Sequence, residues 1–264
     1  MTNPIKLILA GNNRNGYRVL EWLLGRGENI IAVVLHPDDR AQYKHEMKRV
    51  LPADVPVIEG NRVNSPEVVQ QLSDLKPDFL ISVNFGYILK EAVLKMPRLG
   101  CFNLHTGYLP YNRGAHPNVW AIVDQTPAGV SIHKMDSGID TGPIVARTQV
   151  PISIADTGKT LQEKLEVAAL ELFSRSWESL KTGELEPIAA ADQGSSHVIK
   201  DVVAIDRIDL ERQYKARDLI NILRARTYPP YRNAYIECDG RKYYLQIEII
   251  PELPASGEVN DANH

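Results

Sequence analysis

Apolar and polar positions alternate in two different rhythms over the first hundred residues. Residues 5–10 (Ile-Lys-Leu-Ile-Leu-Ala) run into Gly11, and Ile30–Leu35 and Phe79–Val83 are further blocks rich in branched or aromatic side chains. Blocks this short and this apolar read as strands buried on both faces. Between them the apolar positions move to helical spacing. Val19, Leu20, Leu23 and Leu24 share one face of a segment over Tyr17–Leu24, and residues 39–50 form a more polar helical stretch. Ser65-Pro66 opens a helix that runs to about Leu75, and Val55–Ile58 adds a short strand before it. Strands alternating with helices predict an α/β fold built on a doubly wound, mostly parallel sheet.

Beyond Gly100 the rhythm changes. Cys101–Leu104 is a strand interrupted by Asn103, and it feeds a loop rich in Gly, Pro and Asn. Ala128–Met135 and Ile144–Val150 read as two more strands. Residues 159–181 carry the longest helical pattern, with Leu161, Leu165, Ala168, Ala169, Leu172 and Phe173 on one face and Asp156–Thr160 as its entry. Periodicity weakens around Gly183. A helix over residues 215–226 and a hairpin follow, the hairpin built from Ala234–Cys238, an Asp239-Gly240 turn and Lys242–Ile250. From Glu252 the residues are small and polar. The expected division is a main domain at 1–183, a small C-terminal extension of helix plus β-hairpin at 184–250, and a disordered tail at 251–264.

Composition narrows the class without naming an activity. A 264-residue chain with 44% hydrophobic and 24% charged residues is an ordinary globular protein, and a formal charge of −3 gives no general reason to bind nucleic acid. Cys101 and Cys238 are far apart and outside any metal-ligand spacing. They read as reduced thiols in or near packed structure, as in a cytosolic protein. No signal segment opens the sequence and no apolar run approaches the roughly 20 residues that span a bilayer, so a cytoplasmic location away from membranes is expected. No His, Cys, Asp or Glu cluster has metal spacing, and no metal is expected. The loop Gly11–Gly16 lacks both the G-x-G-x-x-G and the G-x-x-x-x-G-K-[ST] pattern, which disfavours NAD and P-loop chemistry. It still sets backbone N–H groups and Arg14 at a helix start, where they suit a phosphate, although a tight turn with an exposed arginine explains them equally well.

The candidate chemistry lies in two stretches, Asn103-Leu104-His105 and Asp136-Ser137-Gly138-Ile139-Asp140-Thr141-Gly142. Strand alternation puts Asn103 and His105 on one side of a strand end, and Asp140 sits in a glycine-flanked turn. Moving an acyl group onto an amine needs a base for the amine proton, a donor for the developing oxyanion and a carboxylate behind the base. An imidazole, an uncharged amide and a carboxylate supply those parts. Singly, each has an ordinary structural reading as a strand-end cap, a buried polar group or a turn residue.

Their surroundings decide between these readings. Asn103-Leu-His105-Thr-Gly107-Tyr-Leu109-Pro110, then Arg113-Gly114-Ala-His-Pro117-Asn-Val-Trp120-Ala121, then Gly129 through Gly142, with Phe85-Gly86-Tyr87-Ile88-Leu89 upstream, resemble the folate-dependent formyltransferase family over roughly residues 5–182. The resemblance implies a Rossmann-like formyltransferase fold and 10-formyltetrahydrofolate as co-substrate. It implies that Asn103 holds the formyl oxygen, His105 removes the amine proton and Asp140 supports His105. Phe85, Gly86, Tyr87, Ile88 and Leu89, together with Met135, Asp136, Gly138 and Ile139, would receive the pterin, chiefly through backbone groups. Arg14, Tyr108, Arg113 and His116 are candidate contacts for the acceptor. His133, on a strand, and Trp120, at helical spacing from Pro117, read as structural.

Within the family the acceptor varies. His105-Thr-Gly107 before Leu109-Pro110, the Arg113-Gly-x-x-Pro117-x-x-Trp120-Ala121 segment and the C-terminal Leu223-Arg-Ala225-x-x-Tyr228-Pro-Pro-Tyr231-x-x-Ala234 all resemble the enzymes that formylate nucleotide-linked amino sugars. That implies a dTDP- or GDP-linked 4-amino-4,6-dideoxyhexose type of acceptor, a role in surface polysaccharide (O-antigen) synthesis, and a homodimer built partly on the 234–250 hairpin. Methionyl-tRNA, glycinamide ribonucleotide and simple hydrolysis of the formyl folate are the alternatives. Lys215, Arg217, Arg224 and Arg226 would mark a tRNA surface only if the helix carrying them were free, and a solvated helix face is the preferred reading.

Overall fold

A computed structural model describes residues 4–189 and 193–252. Eleven strands and eight helices follow the chain in the order β1 (Lys6–Gly11), α1 (Asn13–Gly25), β2 (Asn29–Leu35), α2 (Lys44–Val50), β3 (Val57–Glu59), α3 (Pro66–Asp74), β4 (Phe79–Val83), α4 (Glu91–Leu94), β5 (Gly100–His105), β6 (Arg113–Gly114), α5 (Pro117–Val123), β7 (Ala128–Lys134), β8 (Ile144–Val150), α6 (Gly158–Thr182), β9 (Ser196–His197), α7 (Ile199–Ala204), α8 (Ala216–Arg226), β10 (Tyr235–Cys238) and β11 (Arg241–Tyr244).

Seven strands form one sheet in the order β3-β2-β1-β4-β5-β7-β8. The first five are parallel, and β7 and β8 continue the sheet antiparallel. Its central strands are buried along their length, as the unbroken apolar runs require. Two apolar clusters cover the faces. One packs α1, α2, α5 and α6 around Leu7, Leu9, Phe79, Phe173 and Trp177, and the other packs α3 and α4 around Ile8, Ala10, Leu80 and Val93. The chain order reverses at β1, whose neighbours are β2 and β4. A crevice at the carboxyl ends of these strands is where an open α/β sheet binds its ligands.

The long helix α6 starts at Thr157, whose side chain accepts from Thr160 N while Thr160 Oγ1 accepts from Thr157 N. It stops at Gly183 with φ 73°, a left-handed cap that glycine adopts without strain. After it the chain returns to the main sheet's catalytic end, where β9 pairs with β6. Helix α8 then packs on α5 and α6. Buried Arg224 donates from Nη1 to the carbonyls of Ser153, Ile154 and Asp156, and from Nε to Asn221.

Several expectations shift in detail. The helix foreseen from Tyr17 begins at Asn13, so Gly11–Gly16 is no open loop but a strand end followed by the first helical turn. The polar helix is confined to Lys44–Val50, and the second hairpin strand ends at Tyr244 instead of Ile250. Arg224 and Arg226 are buried, not solvated, because backbone carbonyls and Asp206 receive their N–H groups. Cys101 is buried, with its thiol pushed up to about 12 by burial, whereas Cys238 is exposed on the hairpin and not packed. Most of the foreseen tail, residues 253–264, lies outside the described residues.

Removing Arg224 leaves three main-chain acceptors without their donor. Arg224→Met is expected to lower unfolding free energy by about 3 kcal/mol, read as a shift of the urea midpoint at unchanged slope.

Candidate active site

The two chemically suggestive stretches meet at the carboxyl end of β5. Phe102 and Leu104 point into the first apolar cluster, which turns Asn103 and His105 to the other side of the strand. Asp140 arrives in the connection between β7 and β8 with φ 53°, the left-handed region that Asp tolerates better than most residues. Two features of that connection hold it there. Asp136 Oδ1 accepts from Gly138 N at 2.9 Å and from Thr141 Oγ1 at 2.7 Å, and a side chain at Gly142 would collide with the Lys134 carbonyl.

The Asp140 carboxylate is 11% exposed and surrounded by donors. Asn103 Nδ2 donates to Oδ1 at 3.2 Å, His133 Nε2 faces the same oxygen at 3.2 Å, and Gly114 N donates to Oδ2 at 2.8 Å. His105 Nδ1 stands 3.5 Å from Oδ2. Burial is the largest influence on this acid and opposes its charge. The field of His105, the His133 hydrogen bond and the Gly114 N–H together overcome it, holding the carboxyl well below its usual range. Asp140 is therefore an anion throughout the neutral range.

His105 is 8% exposed, and acceptors face both of its nitrogens: Asp140 Oδ2 at Nδ1 and the Asn112 carbonyl, 3.0 Å away, at Nε2. A neutral imidazole can satisfy one of them; the imidazolium formed on taking a proton satisfies both. Both edges of the ring are thereby held in place. Asn103 Nδ2 donates to Asp140 and also lies 3.2 Å from His133 Nε2, so its amide is held between the two.

Two residues of this centre lay beyond the sequence reading. His133, taken there as structural, stands opposite Asn103 in the β5–β7 register and is 2% exposed. That register sets it beside Asn103, and the turn after β7 brings Asp140 back to it. Asn112 acts through its main chain, its own backbone N–H donating to Ser195 Oγ at 2.8 Å and its side chain to Thr126 Oγ1 at 2.9 Å. A backbone carbonyl leaves no sequence signal.

The foreseen pterin residues divide into anchors and exposed flanks. Leu89 is buried in the second cluster, and Phe85 and Met135 pack against that same cluster, so the two segments adjoin. Gly86, Ile88, Asp136, Gly138 and Ile139 are exposed, and Tyr87 is half-buried. Of the foreseen acceptor contacts, Arg14 and His116 line one cleft of about 620 Å³, which extends from Asn84 and Thr106, at the ends of β4 and β5, to Tyr228, Tyr231 and Asn233. Arg14 Nη1 stands 3.6 Å from Glu166 Oε2. His116, at the start of α5 with φ 55°, has its basicity lowered by burial and by Arg226, with Asp206 opposing. Tyr108 and Arg113 are not among the lining residues. Tyr108 lies under the Arg147 guanidinium, 4.8 Å from ring to carbon, and Arg113 pairs through its backbone with the Ser195–Ser196 segment.

A doubly wound sheet with an amide, two imidazoles and a buried carboxylate gathered at the carboxyl end of β5 suits an acyl- or formyl-transfer class of site. The formyl transferase family matches residues 5–176, and the N-formyltransferase dimerization C-terminal domain matches residues 201–251. The chain belongs to the formyl transferase family. A methionyl-tRNA formyltransferase of Stutzerimonas stutzeri is 31% identical over 230 residues, 82% of this chain and 73% of that one. A Mycobacterium tuberculosis structure inferred to be a sugar N-formyltransferase superposes with a TM-score of 0.79 at 26% identity, over 95% of this chain and 100% of the other. PseJ from Anoxybacillus kamchatkensis, solved with UDP-4,6-dideoxy-4-formamido-L-AltNAc and tetrahydrofolate, gives a TM-score of 0.53 at 28% identity over 74% of this chain and 87% of its own.

Two predictions come from the Asp140 cluster. Because its folded pKa lies below the unfolded value of about 3.9, Asp140 contributes stability above that pH and loses it as pH falls through the folded value. Asp140→Asn should flatten the loss of stability below about pH 4 in acid-unfolding curves. His133→Ala should lower kcat ten- to a hundredfold in a folded protein, since it frees one edge of the carboxylate that sets His105; unchanged kcat would return His133 to a purely structural role.

Proposed function

We propose that this formyl transferase takes its formyl group from 10-formyltetrahydrofolate and delivers it to the amine of a nucleotide-linked amino sugar. The observation that carries the acceptor reading is the shape of the cleft. It opens beside Thr106, next to His105, and its far wall comes from the C-terminal extension through Ala225, Arg226, Tyr228, Tyr231 and Asn233. A small amine would leave that wall without a use. A volume of about 620 Å³ with tyrosines at its outer end suits a nucleoside diphosphate sugar, with the amine inside and the base outside.

In the reaction, His105 takes the proton as the amine attacks the formyl carbon, Asn103 donates to the oxyanion, and Asp140 receives the Nδ1–H of the imidazolium. The proton then leaves His105 for the folate nitrogen as the carbon–nitrogen bond to the donor breaks. Exposed Gly86, Ile88 and Ile139, beside the anchored Phe85 and Met135, offer the donor a partly apolar seat.

The tRNA alternative draws its support from sequence relatives. Against it, Arg224 and Arg226 are spent inside the molecule, leaving only Lys215 and Arg217 exposed among the four basic residues of that segment. The sugar reading also carries a division at residue 183, a homodimer through the extension and a place in surface polysaccharide synthesis. The matched dimerization domain supports the second of these.

Purified protein given 10-formyltetrahydrofolate and a panel of dTDP-, GDP- and UDP-linked amino sugars should release tetrahydrofolate only with a sugar acceptor. Release without acceptor would make it a hydrolase, and turnover only with methionyl-tRNA would overturn the sugar reading. Asn103→Ala, His105→Ala and Asp140→Ala are each expected to lower kcat at least a hundredfold.

A further inference from the structure

His36 follows directly on the end of β2 and is 8% exposed, yet no step of the transfer uses it. Its ring lies between the two arms of the donor loop: the Phe85 ring centroid is 5.4 Å away and that of Tyr87 5.0 Å, both edge-on. Gly86 N donates to His36 Nε2 at 3.1 Å. Behind the loop, a side chain at Gly60 would run into both Phe85 and Tyr87, so the loop is backed from below as well.

A main-chain N–H can only donate, so Nε2 must carry no proton while this bond exists. The proton of the neutral ring is then on Nδ1, beside which Asn12 Nδ2 lies 3.3 Å away, and the Arg40 backbone also bonds the ring. Protonation of Nε2 would set one N–H against another and break the contact. From the ring stacking and the Gly86 bond together, we infer that His36 is a positioning residue for the donor site: in its neutral form it clamps residues 85–87 in the shape that receives the folate, and in its protonated form it releases them. The inference rests on the reading of residues 85–89 as the pterin seat.

The surroundings set the direction of the switch. Burial disfavours the imidazolium and lowers the pKa; the Arg40 backbone bond opposes this, the Arg40 charge reinforces it, and Asp39 opposes it weakly. Asn12 and Gly86 bring no charge to the ring, and Tyr87 brings only its phenol. The clamp is therefore closed at neutral pH and opens on the acid side of the ordinary histidine range.

The test is tetrahydrofolate affinity by calorimetry between pH 5.5 and 8, which needs no acceptor. Wild-type protein should bind several-fold more weakly at the acid end. His36→Gln, whose amide oxygen can accept the Gly86 N–H but cannot be protonated in this range, should match wild type at pH 8 and lack the acid weakening, although it keeps His105 and His133. His36→Ala should bind about tenfold more weakly at pH 8. The same acid weakening in wild type and His36→Gln, or wild-type affinity in His36→Ala, would overturn the clamp. No binding of tetrahydrofolate by wild-type protein at any pH would instead overturn the donor reading on which it rests.

Discussion

One buried carboxylate organises the catalytic end of this molecule. Taking Asp140 out of water is unfavourable by itself, and the cost is offset only because four groups from three separate segments turn donors toward it. Asn103 and His105 come from β5, His133 from β7 and the Gly114 N–H from the short β6. Each donor fixes a different part of the structure. The antiparallel β5–β7 register must place Asn103 opposite His133, and the β7–β8 connection must pass through a left-handed residue at Asp140 and a glycine at 142. Segment 113–114 must also lie close enough to donate, which its pairing with Ser196 and His197 ensures. The segment that follows α6 thus reaches the chemistry through its backbone pairing with β6 and through the Ser195 hydroxyl on Asn112.

The sheet separates two regions around that carboxylate. The loop after β4, braced by His36 and the Gly60 turn, lies on the side of the exposed 136–139 turn. The cleft, in contrast, is walled by the first turn of α1, the start of α5, one face of α6 and the extension. Asn84 and Thr106 stand where the two regions approach each other, at the ends of adjacent parallel strands. A site at the carboxyl end of β5 is reached from both regions with no element crossing the sheet, so on the proposed reading donor and acceptor can be varied independently while β5 keeps its residues.

How much of this was legible in the sequence depended on whether the information was local. Phe79–Val83 was readable to the residue because it is a short block buried throughout, and Ile144–Val150 because apolar ends frame its polar residues 147–149. The α6 helix was readable because its face repeats and Thr157 caps it. Helices α4, α5 and α7, of four to seven residues, offer too little repeat to register as periodic. Asn103, His105 and Asp140 could be nominated from strand alternation and motif order, but His133 could not, since its role exists only through pairing across thirty residues of chain. Arg224 and Arg226 misled for the opposite reason. An arginine is expected in solvent unless it is known which carbonyls or carboxylates await it, and Ser153, Asp156 and Asp206 are brought there by the fold.

Those two arginines also bear on how the cleft would hold a diphosphate. Arg226 lies on its wall but is already engaged by Asp206, and Arg14 shares its charge with Glu166 on α6. Glu163 adds a second carboxylate to the same face. A pyrophosphate entering here meets cations that are largely compensated, so charge attraction alone gives it little advantage over water. Affinity for a nucleotide sugar must then come from shape and from the aromatic outer end, where Tyr228 and Tyr231 stand 5.6 Å apart, ring to ring. On the sugar reading the extension has a second use. Whatever it contributes to association between copies, its Tyr-Pro-Pro-Tyr segment completes a surface on which a flat base can rest, and shortening it would cost acceptor affinity before it cost chemistry.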